Sequence, residues 1–258
     1  MLDMPALASR TARGGAVRVL DPGTWRLSIP AGPAGCYRWA QLDDYMHRAR
    51  AAFPWQPPLR LSLRARASGV TLPGTWGFGL WNDPFSASLS LGGTARRLPA
   101  LPNALWFFHA SPPNCLTLRD MDAQGFLAAT FASTNIPPLV WAPGSLALPL
   151  LAWPPFARWL RRLARRFIQE DATRLAVNPV AWHSYGLEWR VDGARMFVDG
   201  TLCFETEVVP RVPLGLVLWI DNQYAAFPPE GRLRFGTLPN PEPVWLDLAE
   251  VTVVALRS

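Results

Sequence analysis

Lysine is missing altogether from this 258-residue sequence, so that all 25 of its Lys+Arg positions are arginines. Arginine makes bidentate contacts with carboxylates and phosphates and stacks on aromatic rings. An absence spread over the whole chain is nevertheless compositional, and the formal charge of +6 bears on non-specific association and not on chemistry. The basic residues form one short cluster without a binding module, which excludes nucleic acid as the expected partner. Charge is scarce at 17%, against 50% hydrophobic residues, and this points to a large interior, an apolar surface patch, or both. The three cysteines, Cys36, Cys115 and Cys203, are odd in number and far apart, which argues against a disulfide framework and a CxxC metal site. His47, His109 and His183 show no ligand spacing, so zinc is not expected. No apolar run is long enough to span a bilayer; the nearest, 140–156, is broken by Pro143, Pro149, Pro154 and Pro155. Residues 1–15 carry arginines but no continuous apolar core of a secretion signal, so the cytoplasm is the expected compartment.

What is abundant is punctuation: 27 prolines and 19 glycines call for many short elements separated by turns. All-β sandwiches of roughly this length form one unit, and one domain over 1–258 is expected. Strand patterns are predicted at 16–20, 25–29, 59–65, 76–81, 87–91, 104–109, 116–119 and 126–131. Near the C-terminal half, 184–191, 195–198 and 201–205 are joined by Asp192-Gly193 and Asp199-Gly200 turns, and 214–220 and 249–256 complete the series. One helix is predicted at 156–170, where Phe156, Leu160, Leu163 and Phe167 recur at helical spacing between arginines; it belongs to an inserted Pro-rich and helical segment at about 139–176.

The stretch Trp182-His183-Ser184-Tyr185-Gly186-Leu187-Glu188-Trp189, then Val191-Asp192-Gly193 and Phe197-Val198-Asp199-Gly200, resembles the "FHxYxxEW…YVDG" region of laminarinase-like and lichenase-like glycoside hydrolases. Gly74 to Trp81 is similar to that family's "GxWPAFWL" strand, and Trp245 to Val251 to its terminal "VDYVRV" strand. The resemblance covers about two thirds of the chain and implies an all-β, concanavalin A-like jelly-roll sandwich of two antiparallel sheets with one inserted amphipathic helix. Period-two alternation independently puts His183, Tyr185, Leu187 and Trp189 on one side of their strand.

The family's hydrolases carry E-x-D-x-(x)-E on one strand, because retaining cleavage needs a nucleophile and an acid/base roughly 5 Å apart. The corresponding strand here, 104–109, reads Ala-Leu-Trp-Phe-Phe-His. Asp120 with Asp122, and Glu205 with Glu207, have the right spacing for a shared face but sit where turn-flanking acids are expected. Ordinary hydrolysis is therefore not expected. The positions that would line the family's cleft are Trp81, Asn82, Trp106, Phe108, Trp219, Asn222 and Tyr224, the expected ligand-binding residues, and flat aromatics with a few polar anchors suit a glycan or another small molecule. Asp83, Asp221 and His109 are the candidate catalytic groups, a carboxylate among tryptophans being a proton donor with histidine as its complement. No cofactor is expected; the resemblance implies at most a structural calcium through Asp247, one oxygen where calcium takes ~6 to 8.

Three functions follow: a carbohydrate-binding or carbohydrate-active jelly roll without the hydrolytic triplet; a non-hydrolytic isomerase or cyclase acting on a hydrophobic substrate; and a peripheral protein that meets a membrane surface or a partner through 146–167, where five arginines stand beside Trp153, Phe156 and Trp159.

Overall fold

A computed structural model describes residues 7–84, 97, 100–119, 123–134, 153–230 and 233–256. The strand expected at 87–91 and the acids Asp120 and Asp122 lie outside the described residues.

The described chain is mostly strand. The elements are β1 (Ala8–Ala12), β2 (Ala16–Asp21), β3 (Thr24–Ile29), β4 (Trp39–Asp43), β5 (Leu59–Ala67), β6 (Thr75–Trp81), β7 (Ala104–Ala110), β8 (Gly125–Ser133), α1 (Pro154–Ala164), β9 (Ile168–Arg174), β10 (His183–Trp189), β11 (Ala194–Val198), β12 (Thr201–Thr206), β13 (Gly215–Asp221), β14 (Gln223–Ala226), β15 (Arg234–Thr237) and β16 (Val244–Ala255). They build two seven-stranded sheets, ordered β1-β4-β13-β6-β7-β8-β9 and β12-β11-β10-β5-β16-β3-β2, with β14 and β15 as a separate ribbon. Every pairing between these strands is antiparallel. This is the expected jelly-roll sandwich.

Alternation decides what fills the space between the sheets. From β5, Leu59, Leu61, Leu63 and Ala65 enter it; from β10, Tyr185, Leu187 and Trp189; from β6 and β13, Trp76, Phe78, Leu80, Leu216, Leu218 and Ile220. Tyr185 makes edge contacts with Phe78 and Phe107, so the central strands of both sheets meet ring to ring.

The sequence stretch that marks the fold works as a clamp. Asp199 and Gly200 both take positive φ, the type I′ geometry that matches the twist of the β11–β12 hairpin. His183 Nδ1 lies 2.6 Å from Asp199 Oδ2, the Ser184 amide donates to Asp199 Oδ1 at 2.8 Å, and His183 Nε2 faces the Asn178 carbonyl at 3.1 Å. The hydrogen bond from His183 holds the Asp199 carboxyl below its usual range.

The helix differs from its expected extent. It spans Pro154–Ala164, and residues 168–170, read as the end of the 156–170 helix, instead begin edge strand β9, which pairs with β8. Residues 116–119 form no strand; Cys115 makes a lone bridge to Ala226. Glu205 pairs with Arg195 at 2.6 Å on the exposed β11–β12 edge.

Candidate functional site

The outer face of the β1-to-β9 sheet carries the candidate site. Odd positions of β6 and β13 and even positions of β7 point away from the core, and register brings them into rows: Trp219 and Phe108 flank Gly77, while Val217 and Trp106 flank Gly79. The two glycines make a trough into which the neighbouring rings lean. A Cβ on Gly77 would stand 2.8 Å from Trp219 Cη2, and one on Gly79 would stand 2.6 Å from Trp106 Cβ.

The result is a continuous aromatic layer. Trp81 and Trp219 stack with planes 6° apart and centroids at 6.4 Å; Trp106 meets Trp219 at 5.5 Å; Phe108 stacks on Trp106 at 5.4 Å and on Trp219 at 5.9 Å. The three tryptophans are half-buried, Phe108 is buried, and Trp219 is fixed by its Nε1–H, which donates to Thr75 Oγ1 at 3.0 Å.

Asp221 lies at one end of this layer, beside Thr75 and Trp39. Its Oδ1 accepts hydrogen bonds from the Thr75 amide (3.2 Å), the Thr75 hydroxyl (2.9 Å) and the Gln223 amide (3.0 Å), and Tyr37 Oη lies 3.5 Å from Oδ2. Burial raises the Asp221 carboxyl to about 7 against these bonds, which favour the ionised form. The Tyr37 hydroxyl is pushed well up by burial and by the charge of Asp221.

A second polar group borders the layer on β4. Asp43 is fully buried, accepts from Arg10 Nε at 2.7 Å and Gln41 Nε2 at 3.0 Å, and Gln41 also donates to Tyr45 Oη at 3.0 Å. Arg10 stands over the Trp39 ring at 5.5 Å.

The expected site residues divide between several places. Trp81, Trp106, Phe108, Trp219 and Asp221 share the outer face. His109 does not join them: it pairs with Trp76 and Phe126, faces the interior, stacks on Trp76 with planes 9° apart, and is driven by burial down to about 4. Asp83 lies beyond the far end of β6, and Thr75 to Trp81 alone spans roughly 20 Å at ~3.3 Å per residue. Its carboxylate binds Arg97 Nη1 at 2.6 Å, while the Asp83 and Asn82 carbonyls accept from Arg50. Asn82 is consumed by Leu101 and Asn103, and Asn222 by Arg38, Cys36 and Leu238; both fasten loops. Tyr224 lies on the small ribbon, its ring over Gly236. Asp247, the candidate calcium ligand, is fully buried with both oxygens on guanidinium groups, Arg26 at 2.6 Å and Arg66 at 3.1 Å. Among the described residues, no group of three or more His, Cys, Asp or Glu could hold a metal ion.

Two neighbours of Asp221, Tyr37 and Thr75, and the β4 row of Trp39, Gln41 and Asp43 escape a motif-based reading. The period-two order Trp-x-Gln-x-Asp was the available signal.

The carboxylate geometry bears on hydrolysis. In register, Asp221 is opposite Trp39, and Asp43 is four positions further along β4, roughly 13 Å away. Glycosidase pairs stand ~5 Å apart for retention and ~6.5–9.5 Å for inversion. β7, the strand beside β6, contributes no carboxylate.

No protein-family model and no curated protein matches the sequence. Solved structures do resemble the fold. A legume lectin-like domain from Entamoeba histolytica superposes with a TM-score of 0.50 at 8% identity, covering 97% of this chain and 90% of that one. A β-glucanase from Bacillus licheniformis gives 0.49 at 10% identity, covering 97% and 92%. An immunostimulatory antigen and pseudo β-1,3-glucanase of Mycobacterium tuberculosis gives 0.47 at 11% identity, covering 92% and 79%. At 8% identity, the likeness to the legume lectin-like domain is one of fold.

Proposed function

We propose that the outer aromatic face binds a carbohydrate without cleaving it by the two-carboxylate route. The observation that carries this reading is the stacked layer of half-buried Trp81, Trp106 and Trp219 with buried Phe108, bordered by the polar groups of Asp221, Thr75 and Gln41. Flat rings cover the apolar faces of sugar rings, and a few fixed polar groups read the hydroxyls. A glycan array followed by titration calorimetry tests it. Retention of a glycan, weakened at least roughly tenfold by Trp219→Ala or Trp106→Ala, supports the site. A chain that retains no glycan, or variants that bind as well as the parent, refutes it.

A second reading has one specific observation behind it. Asp221, brought to about 7 between neutral donors, is an acid able to give and recover a proton near neutrality. In an isomerase or cyclase the tryptophans would shape an apolar substrate around that proton donor. His109, on the other face of the sheet, is not part of this reading. Conversion of a glycan or apolar substrate that survives Asp221→Asn would sink it. The third expectation, contact with a membrane through 146–167, concerns α1 and is compatible with a ligand on the aromatic face.

A further inference from the structure

Helix α1 is docked the wrong way round for a core-packing amphipathic helix. Its buried residues are Ala157 and Arg161, whereas Trp153 is 61% and Trp159 49% exposed. Arg161 reaches inward to the Phe227 carbonyl and stands over the Phe227 ring, and Arg165 donates to the Leu118 carbonyl. Leu118 and Arg119 are held in turn by their amides on Glu170 of β9. The helix is therefore fastened by guanidinium-to-carbonyl bonds, and its rings are left over.

Those rings are organised. Phe156, Trp159 and Leu163 follow at i, i+3 and i+7 on the side opposite Ala157 and Arg161, and Phe156 meets Trp159 at 5.5 Å. Arg158, Arg162 and Arg166 are exposed and have no carboxylate partner among the described residues. No acidic residue occurs from 123 to 169, and Glu170, the next one along the chain, is taken up by the Leu118 and Arg119 amides.

Resting on the reading of this segment as membrane-facing, we infer that α1 is an interfacial helix for anionic phospholipid. Trp153, Phe156 and Trp159 enter the headgroup boundary while Arg158, Arg162 and Arg166 pair with lipid phosphates. Among the described residues no helix is long and apolar enough to cross a membrane, so contact is peripheral at this helix.

Sedimentation of the full chain with extruded vesicles tests this, using phosphatidylcholine alone and phosphatidylcholine mixed with anionic phosphatidylglycerol. The expected result is pelleting with the anionic vesicles, reversed by salt. Replacing the three arginines by glutamine lowers the partition on the order of a hundredfold, at ~1 kcal/mol per arginine. Trp153→Ser with Trp159→Ser lowers it roughly tenfold. All five positions are exposed, so melting temperatures of the variants stay near that of the parent and loss of binding is not loss of fold. Equal pelleting with both vesicles overturns the anionic assignment while leaving membrane contact standing. Pelleting with neither overturns both.

Discussion

Replacing Asp221 by asparagine should remove a pH dependence that the parent carries in its aromatic face. The ordinary aspartate value of 3.8 is raised to about 7 in the folded chain. Between those values the native state holds a proton that the unfolded chain has released, so stability falls as pH rises from about 4 to about 7 and is level above. At ~1.36 kcal/mol per unit the loss is on the order of 4 kcal/mol. Asp44, raised by burial to about 6, works in the same direction and is left in place by the variant. His109 works in the opposite one. Lowered by burial from 6.5 to about 4, it stays neutral in the native state while the unfolded chain takes up a proton, so it adds on the order of 3 kcal/mol as pH rises through the same window. In Asp221→Asn the remaining contributions of Asp44 and His109, about 3 kcal/mol each, oppose each other, so the variant loses most of the parent's fall in stability with rising pH. An asparagine Oδ1 still accepts from Thr75 and Gln223, so at pH 4, where Asp221 is protonated, variant and parent should agree within about 1 kcal/mol. At pH 8 the variant should be more stable by several kcal/mol. Urea unfolding followed by tryptophan fluorescence reads this directly, since an m-value of roughly 2–3 kcal/mol/M turns the difference into a midpoint shift of ~1–2 M. The same variant-to-parent difference at pH 4 and pH 8 would refute the buried, neutral-donor account of Asp221.

Other substitutions probe the supporting structure. Gly77→Ala should cost about 1–3 kcal/mol, because its Cβ meets the β7 backbone and the Trp219 ring; an unchanged thermal melt would show that the trough does not seat the ring. Asp247→Ala should cost about 1–3 kcal/mol by leaving Arg26 and Arg66 without their shared carboxylate, and neither chelator nor added calcium should move the parent's melting temperature; a calcium-dependent rise would return Asp247 to metal binding. His183→Ala should cost about 1 kcal/mol by releasing the Asp199 turn and should leave ligand binding on the aromatic face intact, as measured by calorimetry.

How legible these features were depended on whether a strand has two unlike faces. β5 and β10 to β12 alternate apolar and polar residues, Asp-Gly turns follow β10 and β11, and their positions follow from the sequence almost residue by residue. β4 is buried throughout, and its only trace in the sequence is the short Trp-x-Gln-x-Asp alternation of 39–43, five residues with no turn signal directly beside them. β1 and β9 are polar edge strands, and β9 follows directly on a helical pattern whose last turns it mimics. The same cause explains His109. β7 is apolar on both faces, so its parity could not be read, and only its pairing with Trp76 places the imidazole inside. Tyr37 is 184 residues from Asp221 and meets it solely because β4 and β13 are neighbours.

Among the described residues, the five buried aspartates separate into two kinds by what holds them. Asp43, Asp83 and Asp247 are bound by Arg10, Arg97 and Arg26 with Arg66. A carboxylate so paired is held in a fixed place and serves as a fastener. Asp44 and Asp221 are held by neutral donors, and burial raises them to about 6 and about 7. Asp44 is closed off by the Trp55 indole and the Leu216 amide. Asp221 is left as the one buried aspartate of the aromatic face with a proton to exchange near neutrality. Two-carboxylate hydrolysis requires a partner anion a few ångströms away, and on the strands beside Asp221 the facing positions are Trp39 and Thr75. On the proposed reading, a single acid beside stacked tryptophans anchors a sugar hydroxyl or moves one proton and does not carry displacement at an anomeric carbon. That reading rests on the arginines as much as on the carboxylate-free β7, because among the described residues they bind Asp43, Asp83 and Asp247.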